Sequence, residues 1–270
     1  RLATSAGTLS AALGYAATTD SSASQAVAIG RAYAGGNYSF AAQIANHSSS
    51  YGATGANSVA IGYQAKSTAS YSLAIGENSI ASANRAVSLG KGNTAGGIEA
   101  VAIGSNNTAT GTGGYIAYAF GNTNTATGIG SVALGTEAKA TIKTQIAMAA
   151  GKFAAVGDAQ GSTFILRSDT TDATAEALTT NNSTAAADNQ IVAASDTCIT
   201  FHGTITAMQN GAQAYGGWEI KGMLVNDGGT TSLALGNVSD MAANNASSWA
   251  VALSADNTNN ALKIQVTGEA

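Results

Sequence analysis

The side chains that could do chemistry are few and scattered. The chain has two histidines, His47 and His202, and a single cysteine, Cys198. A nucleophilic triad needs serine, histidine and carboxylate to converge. His47 has no nucleophile motif around it, and His202 falls on the polar side of an alternating run, where a surface or interface role is expected. Glycoside hydrolysis needs two carboxylates about 5–10 Å apart. The first half offers only Asp20, Glu77, Glu99 and Glu137, each alone. A carboxylate pair formed between chains of an oligomer is the remaining route to a fibre-borne polysaccharide lyase or hydrolase. No His-x-His pair supports a metal site, and Gly111-Thr112-Gly113-Gly114 follows no phosphate-loop template and reads as a turn. Cys198 has no partner for an intrachain disulfide and is expected to pack as a small apolar residue. No catalytic, cofactor-binding or metal-ligating residue is therefore assigned, and the chain is expected not to be an enzyme.

Recognition is the chemistry left. Tyr33, Tyr38, His47 and Tyr51 lie among Asn, Ser and Gly residues in a segment that breaks the regular pattern described next. Tyrosine rings can stack on sugar faces while amides bond sugar hydroxyls, so these four form a candidate receptor-binding loop. Tyr115, Tyr118 and Phe120 form a second aromatic group; Tyr118 and Phe120, like Phe40, stand at apolar repeat positions and are expected inside widened coils.

The elements that must carry these residues are set by a repeat. Ser58-Val59-Ala60-Ile61-Gly62 returns as Ser72-Leu73-Ala74-Ile75-Gly76, as Ala86-Val87-Ser88-Leu89-Gly90 and as Ala100-Val101-Ala102-Ile103-Gly104, each terminal glycine 14 residues after the last. A unit this short cannot bury its own apolar face and must stack on its neighbours. Val59 and Ile61 alternate with Ser58 and Ala60, which is strand periodicity; Gln64–Ser70 alternates alanine with polar residues as a weaker second strand. The glycines fall where the chain must turn and where positive φ is easiest for them. Each unit is one coil of a parallel β-solenoid. Further copies at Ser10–Gly14, Ala26–Gly30, Ser39–Gln43, Ala117–Gly121, Ser131–Gly135 and Gln145–Ala149 bring the count to ten coils, a rod of about 45 Å. About five extra residues loop out around His47–Tyr51, and three more in the glycine-rich 111–114 stretch.

Alternation also divides the faces. The expected roll core is Val59, Ile61, Leu73, Ile75, Val87, Leu89, Val101 and Ile103, with Ala65 and Ala69 opposite. Ser58, Ala60, Ala74, Ser88, Ala100 and Ala102 then point outward. Such a face fits either a plain surface of small side chains or close approach of another chain along an oligomer axis; the axis is the reading preferred.

The block Asn57–Gly62 resembles the head repeat of trimeric autotransporter adhesins, the YadA-like head. The resemblance implies a left-handed parallel β-roll, a parallel homotrimer, the Val/Ile side within each roll and the small side near the threefold axis.

From Gly151 to Ser162 the pattern breaks and a junction is expected. Beyond it, longer alternating runs (Ile199, Phe201, Ile205 and Ala207; Trp218, Ile220 and Leu224; Trp249, Val251 and Leu253; Leu262, Ile264 and Val266) separated by turns such as Asn226–Gly229 predict an antiparallel β-sandwich or jelly-roll-like domain. Gly157–Gln160 with Ser162–Arg167 resembles a module of bacteriophage tail-fibre proteins, and that resemblance implies a further strand or two beyond Ala270. The expected organisation is a repeat β-roll over 1–150, a junction over 151–162 and a C-terminal sandwich over 163–270, all-β and homotrimeric.

Composition bounds the partners. Proline is absent and only 10% of residues are charged. No apolar run approaches a membrane helix. The chain opens on Arg1 without a signal-peptide pattern, which points to a fragment or a processed chain. Residues 1–150 carry seven Lys/Arg and four Asp/Glu, and residues 151–270 four and eleven. Neither half has a basic cluster, which argues against nucleic acid. The acidic second half would be repelled by an anionic cell surface at low salt. The expected function is a non-enzymatic trimeric fibre, without cofactor or membrane insertion, that contacts a host cell-surface glycan or protein. A phage tail fibre, sitting on the virion with other tail proteins, is preferred; the head of a bacterial surface adhesin is the alternative.

Overall fold

A computed structural model describes residues 2–43, 50–211, 213–244 and 246–269. His47 lies outside the described residues. The chain divides into two compact units, Arg1–Thr163 and Phe164–Ala270. The described residues are all-β, apart from one 3-10 turn at Thr112–Gly114.

The first unit is a parallel β-solenoid of ten coils, each giving one strand to each of two sheets. The register follows the 14-residue period: Val59, Leu73, Val87 and Val101 are neighbours, as are Ile61, Ile75, Leu89 and Ile103. The 17-residue coil keeps the same register, with Tyr118 beside Val101 and Phe120 beside Ile103, because its extra residues are taken up at the 111–114 turn. The terminal glycines are required by the stacking itself. Gly76 has φ 119°, and a Cβ there would lie 1.9 Å from the carbonyl oxygen of Gly90 in the next coil. Ala149 closes this column, at the coil where the parallel stacking ends.

The two faces are the reverse of the expectation. Ser58, Ala60, Ala74, Ser88, Ala100 and Ala102 are completely buried, and they are buried inside the coil of a single chain. The interior cluster of the roll consists entirely of alanines. Val59, Ile61, Leu73, Val87, Leu89 and Val101 are half-buried, and Ile75 and Ile103 are 36% exposed; they stand on the outer surface. Phe40, Tyr118 and Phe120 continue these outer columns, so no coil needs widening. The reason is the width of the tube. Strands of three to six residues face two-residue strands across a coil so narrow that methyl groups fill it, and a branched side chain has no room. Ala65 is buried as expected, but the inward residue of the facing strand Lys66–Ser67 is Ser67, and Ala69 is only half-buried.

Most polar groups inside the roll are paired, the buried Ser39 hydroxyl being an exception. Ser58 Oγ donates to the Gly55 carbonyl at 2.6 Å, and the Ser67 and Ser72 hydroxyls are 2.6 Å apart. At one turn Asn93, Asn107 and Asn124 stack as a fully buried ladder. Asn93 Oδ1 accepts from the backbone N–H of Asn107 at 2.9 Å, and Asn107 Oδ1 from that of Asn124 at 3.0 Å. Each Nδ2 donates to two backbone carbonyls: those of Leu89 and Gly104, of Ile103 and Gly121, and of Phe120 and Gly135.

The junction residues complete the first unit. Gln160–Thr163 pairs antiparallel with Ile146–Ala150 and closes the edge of one sheet. The side chain of Gln160 accepts from the Lys139 N–H at 2.7 Å and donates to the Lys139 carbonyl at 2.9 Å, serving the other sheet's last strand as a neighbouring strand would. An open parallel edge would otherwise template further pairing.

The second unit holds two antiparallel sheets. Thr197–Met208, Tyr215–Asp227 and Thr230–Asn244 form one; in the other, Ala261–Thr267 is flanked by Ala250–Asp256 on one side and by Glu176–Ala177 and Ile191–Val192 on the other. Ile205, Trp218, Ile220, Leu224, Leu262 and Ile264 form the core, with Ile199, Phe201, Val251, Leu253 and Val266 packed against it. The alternating runs therefore face as read.

Candidate functional site

The largest feature presented by the roll is its outer apolar ladder. Two columns run the length of the solenoid: Val27, Phe40, Val59, Leu73, Val87, Val101, Tyr118, Val132 and Ile146, and beside them Ile29, Ile61, Ile75, Leu89, Ile103, Phe120, Leu134 and Met148, with Ala42 between Ile29 and Ile61. Ile146 is 41% and Met148 55% exposed. Tyr118 and Phe120 stand side by side with ring planes 7° apart and centroids 6.4 Å apart. A continuous, partly exposed apolar stripe on a chain otherwise dressed with Ser, Thr and Asn marks a surface suited to being covered.

Of the four candidate loop residues, Tyr33, Tyr38 and Tyr51 are described, and their surroundings differ. Tyr33 is half-buried, and its hydroxyl donates to Asp20 Oδ2 at 2.6 Å. Burial, then the Asp20 hydrogen bond and charge, push the Tyr33 phenol up to about 12. The Ser22 hydroxyl, the Tyr33 hydroxyl and the Ser22 backbone N–H hold the Asp20 carboxyl down to about 2. Tyr33 is thus tied to the preceding coil. Tyr51 packs against the alanine core. Among the described loop residues Tyr38 alone is open, 56% exposed on a left-handed backbone with φ 57°.

The remaining chemical groups sit apart. Cys198 is exposed rather than packed, because it falls on the outer side of its alternating strand. His202 lies on that same outer side, its Nε2 2.8 Å from Glu219 Oε1. That bond, with the Lys221 charge next, lowers the Glu219 carboxyl. The Asp158 carboxylate accepts the backbone N–H groups of Phe153, Ala154 and Ala155, which lower it. Ser168, Glu176, Ala177 and residues 182–185 line an open hollow of about 330 Å³ holding one carboxylate. No group of three or more His, Cys, Asp or Glu residues that could hold a metal occurs among the described residues.

The asparagine ladder escaped the sequence reading, although its signal is there: Asn93, Asn107 and Asn124 recur at the spacing of their coils.

The fold of the first unit defines a stacked, short-coil β-solenoid with an apolar outer stripe. The family model of the YadA head domain repeat (2 copies) matches residues 53–76, 67–93, 95–114 and 117–138, so these coils are similar to YadA head repeats. No curated protein matches the chain.

Proposed function

We infer that the chain is a segment of a non-enzymatic, trimeric fibre that attaches to a host cell surface. The observation that carries this is the outer apolar ladder, which a lone chain would leave in water along the whole roll. Three parallel rolls in register would cover it, column against column, and the expected trimer is kept with its faces exchanged: the Val/Ile side toward the axis, the alanine side within each roll. Covering the ladder would remove apolar surface from water along the whole roll, at about 25 cal/mol per Å², the term that dominates in permanent oligomers.

Two carriers fit such a fibre. The tail of a bacteriophage is favoured by the resemblance of residues 157–167 to a tail-fibre module. A bacterial cell surface is favoured by the YadA head repeats. Antibody raised to the chain, applied to virions and to cells of the source, separates them by which it decorates. The attachment itself is tested with fluorescently labelled chain on bacterial cells. Saturable binding with no fall in capsule viscosity supports an adhesive fibre; loss of viscosity on incubation would make it an enzyme instead.

A further inference from the structure

One turn edge of the roll carries a row of outward side chains in strict register. Gln25, Tyr38, Asn57, Tyr71, Arg85 and Glu99 each precede by two residues a strand residue of the same column. All six are exposed, and all have left-handed backbone, φ 53–61°. The backbone N–H groups of Tyr38, Asn57, Tyr71 and Arg85 donate to carbonyls of the preceding coil at 2.7–3.1 Å, which fixes where each side chain starts. Neighbours in the row reach each other: Arg85 Nη1 lies 2.9 Å from Glu99 Oε1. Tyr38 and Tyr71 are 56% and 62% exposed and stand two coils apart, roughly 10 Å, with Asn57 between them.

We propose that the Tyr38–Asn57–Tyr71 row is a binding track for a linear, neutral polysaccharide lying along the roll. A pyranose ring offers a flat C–H face, which stacks on tyrosine, and a rim of hydroxyls, which bonds to an amide. One sugar is about as long as one coil step. An extended chain therefore lays two sugars on the two rings and turns the hydroxyls of the sugar between them to Asn57. Because the backbone is already fixed, binding orders little beyond two ring torsions. Arg85 is matched by Glu99, so the end of the track has no net charge, which suits a neutral chain. The proposal rests on the surface-fibre reading and names its ligand class. It places recognition on regular coils, whereas the sequence alone pointed to the irregular loops and the C-terminal domain.

The test is calorimetric titration of the full chain with cellohexaose, chitohexaose and maltohexaose and with the matching disaccharides. A hexasaccharide should bind, and its disaccharide, too short to reach both rings, should bind roughly tenfold more weakly or worse. Tyr38→Ser/Tyr71→Ser should lose a similar factor with unchanged melting, while Tyr38→Phe/Tyr71→Phe retains binding. Tyr15→Ser/Tyr63→Ser, which removes two equally exposed tyrosines at the other turn, should also retain it. The track is overturned if the parent binds no hexasaccharide or if the Ser variant binds as the parent does. Labelled chain on cells separates the two levels. Equal binding by parent and Ser variant, or binding abolished by protease but not by periodate oxidation of cell-surface sugars, overturns the track and leaves the surface fibre standing. A parent that binds no cells overturns both.

Discussion

Replacing Asn107 by alanine removes the middle rung of the buried ladder. The side chain is fully buried and serves three backbone groups: its Nδ2 donates to the carbonyls of Ile103 at 3.0 Å and Gly121 at 2.7 Å, and its Oδ1 accepts from the Asn124 N–H at 3.0 Å. Each buried group left without that partner costs about 1–3 kcal/mol. Neighbouring coils can close up only slightly, because Gly104 and Gly121 already hold them at backbone contact. The expected loss is about 3–5 kcal/mol per chain, or roughly 10 °C in melting temperature for a unit of this size. Asn107→Asp should be worse than its shape suggests, since it puts an acceptor against two carbonyls. Asn122→Ala, an exposed asparagine in the next coil, is the control and should leave melting unchanged. Thermal unfolding followed by far-UV circular dichroism reads all three. An Asn107→Ala variant that melts within about a degree of the parent would refute the reasoning, since the ladder would then be filling space rather than closing hydrogen bonds.

Gly90→Ala should destabilise by several kcal/mol, because its Cβ would meet the Gly104 oxygen at 2.1 Å on a backbone with φ 116°; denaturant unfolding checks it, and an unchanged midpoint counts against the stacking geometry. Ala74→Leu should prevent folding of the roll, since Ala74 is fully buried in an interior built of methyl groups, whereas Leu73→Ala, on the outer face, should leave a single chain folded and weaken only its assembly; circular dichroism and light scattering separate the two effects. The Asp20–Tyr33 bond sets two pH limits. The Asp20 carboxyl is lowered to about 2, so its contribution is present above its unfolded value and is lost as pH falls through about 2. The Tyr33 phenol is raised to about 12, so its contribution is present below its unfolded value and is lost as pH rises through about 12. Tyr33→Phe should remove the alkaline limb from the ultraviolet titration, and a variant that keeps it would assign that limb to another tyrosine.

The repeat, the coil count and the need for glycine at the turn were legible because each is a one-dimensional signal: a glycine every 14 residues and two alternating faces. Which face lies inside was not. Alternation separates Val59 and Ile61 from Ser58 and Ala60, but only the width of the tube decides between them. A clue stood in the sequence. The inner column from Ala12 to Ala147 is alanine at every coil but Ser88, while the outer columns vary from Val and Ile to Phe, Tyr and Met. A narrow interior enforces one size, whereas an outer surface tolerates several. In the second unit the alternation showed which residues face the core, but the pairing of Glu176–Ala177 and Ile191–Val192 with the distant Ala261–Thr267 left no local mark. The loop tyrosines misled because exposure depends on the neighbouring coil: Asp20 captures Tyr33, and the alanine core takes Tyr51.

Sedimentation equilibrium of the full chain beside an Ile75→Glu/Ile103→Glu variant measures most directly whether the outer ladder is an interface between chains. The parent should sediment at three times the 26.4 kDa chain mass. The variant should sediment as a single chain with an unchanged circular dichroism spectrum, because its carboxylates face water when alone and one another when assembled. A monomeric parent, or a variant that remains a trimer, would contradict that interface.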